Sequence, residues 1–230
     1  MAFDADIRQW STLEAFIAYL RTVPRPAWCL GLTNHNTYIP NELQWRGVAS
    51  VRNCMQTYIG KGWSAGPHLF LAADAPKAAD RGIFQLTPIA HQGIHAGECN
   101  VDHLGIENVG DFEARPPSEA QYSLLLAVNR AILAAWHIAP DRVNVHNECM
   151  PGRTCPGRYL TGDQIRRDLV PTIYRILGAS VYQRRDCTGP LAGHMHSNDT
   201  TVLIDVEYSD GIVHLASGLG FMRKADMEAL

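Results

Sequence analysis

Long apolar runs are missing from this chain. None approaches the roughly 20 residues that a bilayer-spanning helix needs, so no membrane-spanning segment is expected. Charge of one sign is missing as well. The formal net charge is -3 and the isoelectric point is near 6.3. Arg166-Arg167 and Arg184-Arg185 are isolated basic pairs that read as solvated faces, so no nucleic-acid partner is expected. Internal repeats and low-complexity segments are absent. The opening Met1-Ala2-Phe3-Asp4-Ala5-Asp6 has neither a basic nor an apolar leader region. No signal peptide is therefore expected, and synthesis and folding are expected in a cytoplasm. In that setting the six cysteines (Cys29, Cys54, Cys99, Cys149, Cys155, Cys187) read as thiols or a metal ligand rather than a disulfide framework.

What is present fits one medium domain, or one domain with a small added module, because 230 residues at 46% hydrophobic content can bury a sizeable core. Ser11-Thr12-Leu13-Glu14 has the form of a capping box opening a helix to about Thr22, before Pro24 and Pro26. Residues 28–33 are apolar and β-prone, with His35 at the strand's end. Positions 48, 51, 55, 58 and 59 repeat at helical spacing, and Gly60 marks a stop. Strand-like runs follow at 68–72, 82–86 and 104–109. Ser118-Glu119-Ala120-Gln121 opens the clearest helix, with Tyr122, Leu125, Leu126, Ile132, Leu133 and Trp136 on one face. A strand at 143–145 leads into His146. A last helix is expected from a cap at Asp163 to about Leu177, interrupted or restarted at Pro171. After Gly178 the pattern becomes short strands at 202–208, 212–216 and 220–223. The expected division is therefore a main domain over 1–178 and a β-rich module or extension over 179–230.

One turn concentrates the chemistry. His146 and Cys155 stand nine positions apart across Pro151-Gly152. Pro and Gly fold the chain sharply, so imidazole and thiol can converge on one point. Such a donor pair suits Zn²⁺, and a catalytic zinc takes a third protein ligand and keeps one open position. His35, at the end of its strand, is the candidate third. Glu107 lies inside an apolar strand, where a carboxylate is costly unless paired or functional. It reads either as half of a buried ion pair or as a general base with a raised pKa. Arg153, on the same turn as Cys155, reads either as an exposed turn residue or as an oxyanion-stabilising cation. His68, His91 and His95 cluster in mid-sequence, and Gly93-Ile94-His95-Ala96-Gly97 is a loop that could line a cleft.

Four segments in order resemble the zinc-dependent N-acetylmuramoyl-L-alanine amidases of the type-2 class, over about residues 25–178. That class includes phage lysozyme-type amidases, peptidoglycan recognition proteins and muropeptide-recycling amidases. The segments are Asn34-His35-Asn36-Thr37, then Gly62-Trp63 through His68-Leu69-Phe70, then His95 to Asn100 with Leu104-Gly105-Ile106-Glu107, and finally His146 to Gly157. The resemblance implies an α/β fold with a central mixed β-sheet flanked by helices and a zinc cleft at one face. It implies His35, His146 and Cys155 as zinc ligands, Glu107 and Arg153 as catalytic residues, and His68, His95 and Asn100 in the substrate cleft. The implied reaction is hydrolysis of the amide between the lactyl group of N-acetylmuramic acid and L-alanine.

This chain departs from the family at several points. Pro67 stands where phage-type members carry a catalytic Tyr, so Glu107 must fill that role, as in the recycling branch. That branch carries Lys two positions before an Asp ligand, where this chain has Arg153 and Cys155. The tail, with Gly211 to Leu215 and Gly218 to Met222, resembles either a bacterial SH3-type wall-binding module or a short β-extension. Three functions are open: a peptidoglycan-lytic enzyme such as a phage endolysin, a cytoplasmic amidase of soluble anhydro-muropeptides, and a non-catalytic peptidoglycan-binding protein. The expectation favours the first, acting as a monomer on the cell wall after release.

Overall fold

In the computed structural model, residues 2–170 are described in full, and beyond them only the backbone of seven short strands. The chain divides into two compact units, Met1–Leu169 and Val170–Leu230.

The first unit is a six-stranded mixed sheet. Its strands are β1 (Arg8–Trp10), β2 (Gly31–Asn36), β3 (Leu69–Ala72), β4 (Gly82–Gln85), β5 (His103–Asn108) and β6 (Val143–Val145), in the order β1-β4-β3-β5-β2-β6. Strands β3, β5, β2 and β6 run parallel, while β4 pairs antiparallel both with β3 and with the edge strand β1. The helices are α1 (Leu13–Leu20), α2 (Val48–Gly60), α3 (Glu119–Trp136), the single turn α4 (His146–Cys149) and α5 (Gly162–Leu169). The sheet is covered on both faces, as parallel strands require. Leu32, Leu69, Leu71, Leu104 and Ile106 are buried in one core with residues of α1, α3 and α5. The alternate positions Phe70, Ala72 and Phe84 pack in a second core with Trp45 and with Val51 of α2.

The α3 helix forms where its capping signal stands: the Ser118 side chain accepts a hydrogen bond from the Gln121 N–H. It ends at His137, which adopts a left-handed conformation (φ 52°). Two other caps differ from expectation. Thr12, not Ser11, accepts from the Ala15 N–H, and the helix is Leu13–Leu20. Thr161, not Asp163, caps α5 by accepting from the Gln164 N–H.

The last helix is also shorter than expected. It ends at Leu169, and Ile173–Ile176 form a strand. Pro171 explains the stop, since proline disfavours helix in the residue before it and cannot donate to the preceding turn. Ile-Tyr-Arg-Ile then follows its β-preference. The second unit's strands are Ile173–Ile176, Ala179–Tyr182, Leu191–Met195, Thr201–Glu207, Ile212–Leu215, Phe221–Arg223 and Met227–Ala229, arranged in one sheet. The resemblance of this tail to an SH3-type module rests on side chains outside the described residues.

Among the described residues no helix is long and apolar enough to cross a membrane. A second expectation is overturned here: Cys99 and Cys149 form a disulfide. They lie 50 positions apart in sequence, yet the fold sets the 3-10 turn Gly97–Val101 against the end of α4 with the two Cα atoms 5.7 Å apart. That approach is tertiary and leaves no trace in cysteine spacing.

Candidate metal centre and cleft

Sheet register builds the site. His35 on β2 is the lateral partner of Glu107 on β5, and Glu107 is in turn the partner of Phe70 on β3. Adjacent residues in register share a face of the sheet, here the face covered by α2. On the opposite face Asn34 anchors β2. Its side chain exchanges hydrogen bonds with Asn129 of α3 (3.0 and 3.2 Å), and Asn108 donates to the His35 carbonyl (3.0 Å). This buried amide network fixes the rotation of β2 and therefore where His35 points.

β6 delivers the second histidine. Val145 pairs with Asn34, so His146 emerges beside His35 at the carboxyl ends of the parallel strands. The one-turn helix that follows is tied down from α5: Arg166 donates to both Glu148 carboxylate oxygens (3.0 and 2.8 Å), and Glu148 accepts from the Val145 N–H. Gly152 takes a positive φ of 91° at the reversal. The Asn147 N–H then donates to the Cys155 carbonyl (3.0 Å), closing the loop and returning the thiol to the histidines.

The three side chains converge. His35 Nδ1 is 3.0 Å from His146 Nδ1, Cys155 Sγ is 3.7 Å from His35 Nδ1, and all three donor atoms lie within 4.8 Å of one another. Tetrahedral zinc with bonds of about 2.0–2.1 Å to nitrogen and about 2.3 Å to sulfur sets its donors roughly 3.3–3.6 Å apart, so the set fits. The Asn36 N–H donates to the Cys155 sulfur (3.4 Å), a contact that favours the thiolate a metal needs. His146 Nε2 is buried without a hydrogen-bond partner, an orphan polar atom in a site otherwise rich in partners. Burial, then the neighbouring histidines, holds His35 well below the usual imidazole range. Burial, then the charge of Arg153, also lowers His146. Both shifts favour the neutral ring that a metal ligand must be. Burial, then Glu107, pushes the Cys155 thiol up, opposed by the Asn36 N–H.

Beside these donors lies a cavity of about 280 Å³, lined among others by Glu107, Tyr58, Lys61, Trp63, Pro67 and His95. Glu107 Oε2 has no hydrogen-bond partner, and burial raises its pKa to about 8, opposed only by Lys61. The ion-pair reading of Glu107 is thus not what the structure displays. Lys61 Nζ stands over the Trp63 and Tyr58 rings at 4.9 and 5.6 Å, and those rings stack with centroids 5.4 Å apart.

The other sequence-read residues are placed less centrally. His95 lines the cavity and hydrogen-bonds His35. His68 is buried behind it, accepting from the Gly105 N–H and donating to the His91 carbonyl. Asn100 accepts from the backbone N–H groups of His95 and Ala96. Arg153 is exposed on the turn and is not among the residues lining the cavity. His91 is largely exposed and pairs with Asp4. Tyr58, Lys61 and Cys54 were not picked out from sequence as site residues, although all three line the cavity. The helical spacing that includes Tyr58 was legible, but not that the end of this helix would line the same cavity as Glu107.

This chain belongs to the N-acetylmuramoyl-L-alanine amidase family, whose sequence model matches residues 28–158 and so spans β2 to the Cys155 turn. Over 99 residues it is 31% identical to the 1,6-anhydro-N-acetylmuramyl-L-alanine amidase AmpD of Enterobacter cloacae, covering 39% of this chain. The chain spans about half (52%) of the length of that curated relative. Its fold is similar to that of the N-acetylmuramoyl-L-alanine amidase LysC from Clostridium intestinale (TM-score 0.51, 21% identity, 64% of this chain and 86% of that one). It is also similar to that of Drosophila PGRP-LB (TM-score 0.51, 16% identity, 70% and 85%).

Proposed function

We propose that the protein is a zinc-dependent hydrolase that cleaves the amide between N-acetylmuramic acid and L-alanine, with the intact cell wall as its target. The observation that carries this reading is the convergence of His35, His146 and Cys155 within 4.8 Å, beside a buried carboxylate in a cavity open to solvent. His35 would hold the ion through Nδ1, His146 through a ring nitrogen and Cys155 through its sulfur. When bound, zinc supplies Lewis acidity that polarises a carbonyl and acidifies water.

The remaining steps belong to the chain's own groups. Glu107 Oε2, unpaired and buried, takes a proton from the attacking water and passes it to the departing alanine nitrogen. A pKa lifted toward neutrality lets one carboxyl both accept and return that proton. Lys61 on the cavity wall is a cation placed to meet charge developing on the carbonyl oxygen, and Arg153, whose charge acts on His146, is the second candidate. The Tyr58–Trp63 wall offers an apolar surface against which substrate can lie.

The Cys99–Cys149 disulfide favours an oxidising workplace and so supports action on the sacculus, as for an endolysin made in the cytoplasm and released to the wall. A cytoplasmic amidase of soluble muropeptides is the second reading. It is supported by the AmpD relative, whose name specifies an anhydro-muramyl substrate. The deciding assay incubates purified protein with isolated sacculi, with and without a zinc chelator, and scores newly freed N-terminal alanine by amine labelling and mass spectrometry. Chelator-sensitive release supports the lytic reading. Turnover confined to soluble anhydro-muropeptides supports the second, and tight binding without turnover on either substrate defeats both.

A further inference from the structure

The ring nitrogens behind the metal-binding donors form a chain whose direction is fixed at its far end. His95 Nε2 lies 3.0 Å from the backbone carbonyl of His103, at the start of β5. A carbonyl only accepts, so that nitrogen carries hydrogen and, in a neutral imidazole, Nδ1 is the bare acceptor. His95 Nδ1 lies 3.1 Å from His35 Nε2, with the two rings at 90°. His35 must therefore donate from Nε2, which makes its Nδ1 the acceptor, free of hydrogen, on the side facing His146 Nδ1 (3.0 Å) and Cys155 Sγ (3.7 Å).

The surroundings hold His95 in that pose. Asn100 Oδ1 accepts from the N–H groups of His95 and Ala96 (2.8 and 2.7 Å), pinning the loop that carries the ring. Gly105 leaves the space the ring occupies, since a Cβ there would stand 2.5 Å from His95 Cγ. His68 packs edge-on against His95 at 5.9 Å, and both its own nitrogens are committed to backbone groups.

We infer that His95 is a positioning residue that locks His35 in the Nε2–H tautomer and so presents His35 Nδ1 as a ready metal donor, with the His103 carbonyl as the fixed end of the relay. The inference rests on the metal reading above. Metal-binding histidines commonly donate their second N–H to a carboxylate or a carbonyl. Here a neutral imidazole stands between ligand and carbonyl, so the lock adds no negative charge beside Cys155. In the reverse arrangement His35 would carry its proton on Nδ1, where the metal must bind.

The test measures zinc dissociation constants by competition with a chromophoric chelator, on full-length protein and without any activity assay. His95→Phe keeps a ring and removes the acceptor; loss of such a partner weakens metal binding about 10–100-fold. His95→Asn, whose amide oxygen can stand near the Nδ1 position, is expected to recover most of that loss. Zinc binding by His95→Phe within twofold of the wild type would overturn the assignment. Should the phenylalanine variant not fold, long-range ¹H–¹⁵N correlations on the metal-free wild type read the tautomer directly: Nε2–H on His35 supports the lock, and Nδ1–H overturns it. A wild type that takes up no zinc would sink the metal reading, and the tautomer spectrum would still decide the hydrogen-bond chain.

Discussion

At the scale of single residues, the site is a contest between burial and charge. Glu107 shows it most clearly. Burial raises its carboxyl from 4.5 to about 8, so in the metal-free protein the folded state holds this proton more tightly than the unfolded chain does. Stability contributed by the protonated form is then present at low pH and lost as pH rises from about 4.5 to about 8. Glu107→Gln removes that loss. Urea unfolding of the metal-free proteins at pH 5, 7 and 9 should show the variant gaining on the wild type as pH rises, and a constant gap would contradict the buried, unpaired carboxyl. The same variant should keep zinc affinity and lose about 10²–10⁴-fold in kcat, the span typical of a missing general acid–base group. The two cations separate by position. Lys61 lines the cavity and lowers the pKa of Glu107, whereas Arg153 is exposed outside the lining. Lys61→Met is expected to lower kcat more than Arg153→Met and to move the acidic limb of the pH profile upward. A larger loss from Arg153→Met would return oxyanion stabilisation to Arg153.

At the scale of elements, the Cys99–Cys149 bond ties the turn behind His95 to the one-turn helix that begins at His146. A cross-link closing 50 residues removes unfolded-chain entropy worth about 4 kcal/mol. Cys99→Ser should lower the melting temperature under non-reducing conditions, and dithiothreitol should lower the wild type's to match; a melting temperature indifferent to both would mean that the bond contributes nothing to stability. That bond was not legible in the sequence, nor was the turn of α2 over Glu107, whereas Pro171 did mark where the last helix breaks. The parts that were legible share one property: each is local. Ser118 caps α3 through its own neighbours, His35 stands at the end of its own strand, and Pro151-Gly152 returns Cys155 to His146 within a single loop. Tyr58 and Lys61 enter the cleft only because β3, β5 and α2 meet, and Arg153 is exposed outside the cavity lining. Periodicity and turn chemistry report what a segment does alone. They do not report which side chains two distant segments will share.

At the scale of the whole molecule, among the described residues the three donor atoms and the cleft lining belong to Met1–Leu169, and so does the whole family match at 28–158. The strands of the second unit pair among themselves. A separate role for that unit follows from the proposed target. A soluble muropeptide diffuses to the enzyme, but a sacculus is an insoluble surface, on which a second contact raises the effective substrate concentration without new catalytic groups. Ending the chain after Val170 should therefore leave zinc affinity and kcat on a small muramyl-L-alanyl peptide within about twofold of the full-length protein, while release of alanine from sacculi and co-sedimentation with them fall together, the avidity from a second contact being on the order of 10²-fold or more. A truncated chain that digests sacculi as fast as the full one would leave the tail no part in wall binding, and the preference between soluble and insoluble substrate would then rest with the cleft itself, where Lys61, Tyr58 and Trp63 form the wall.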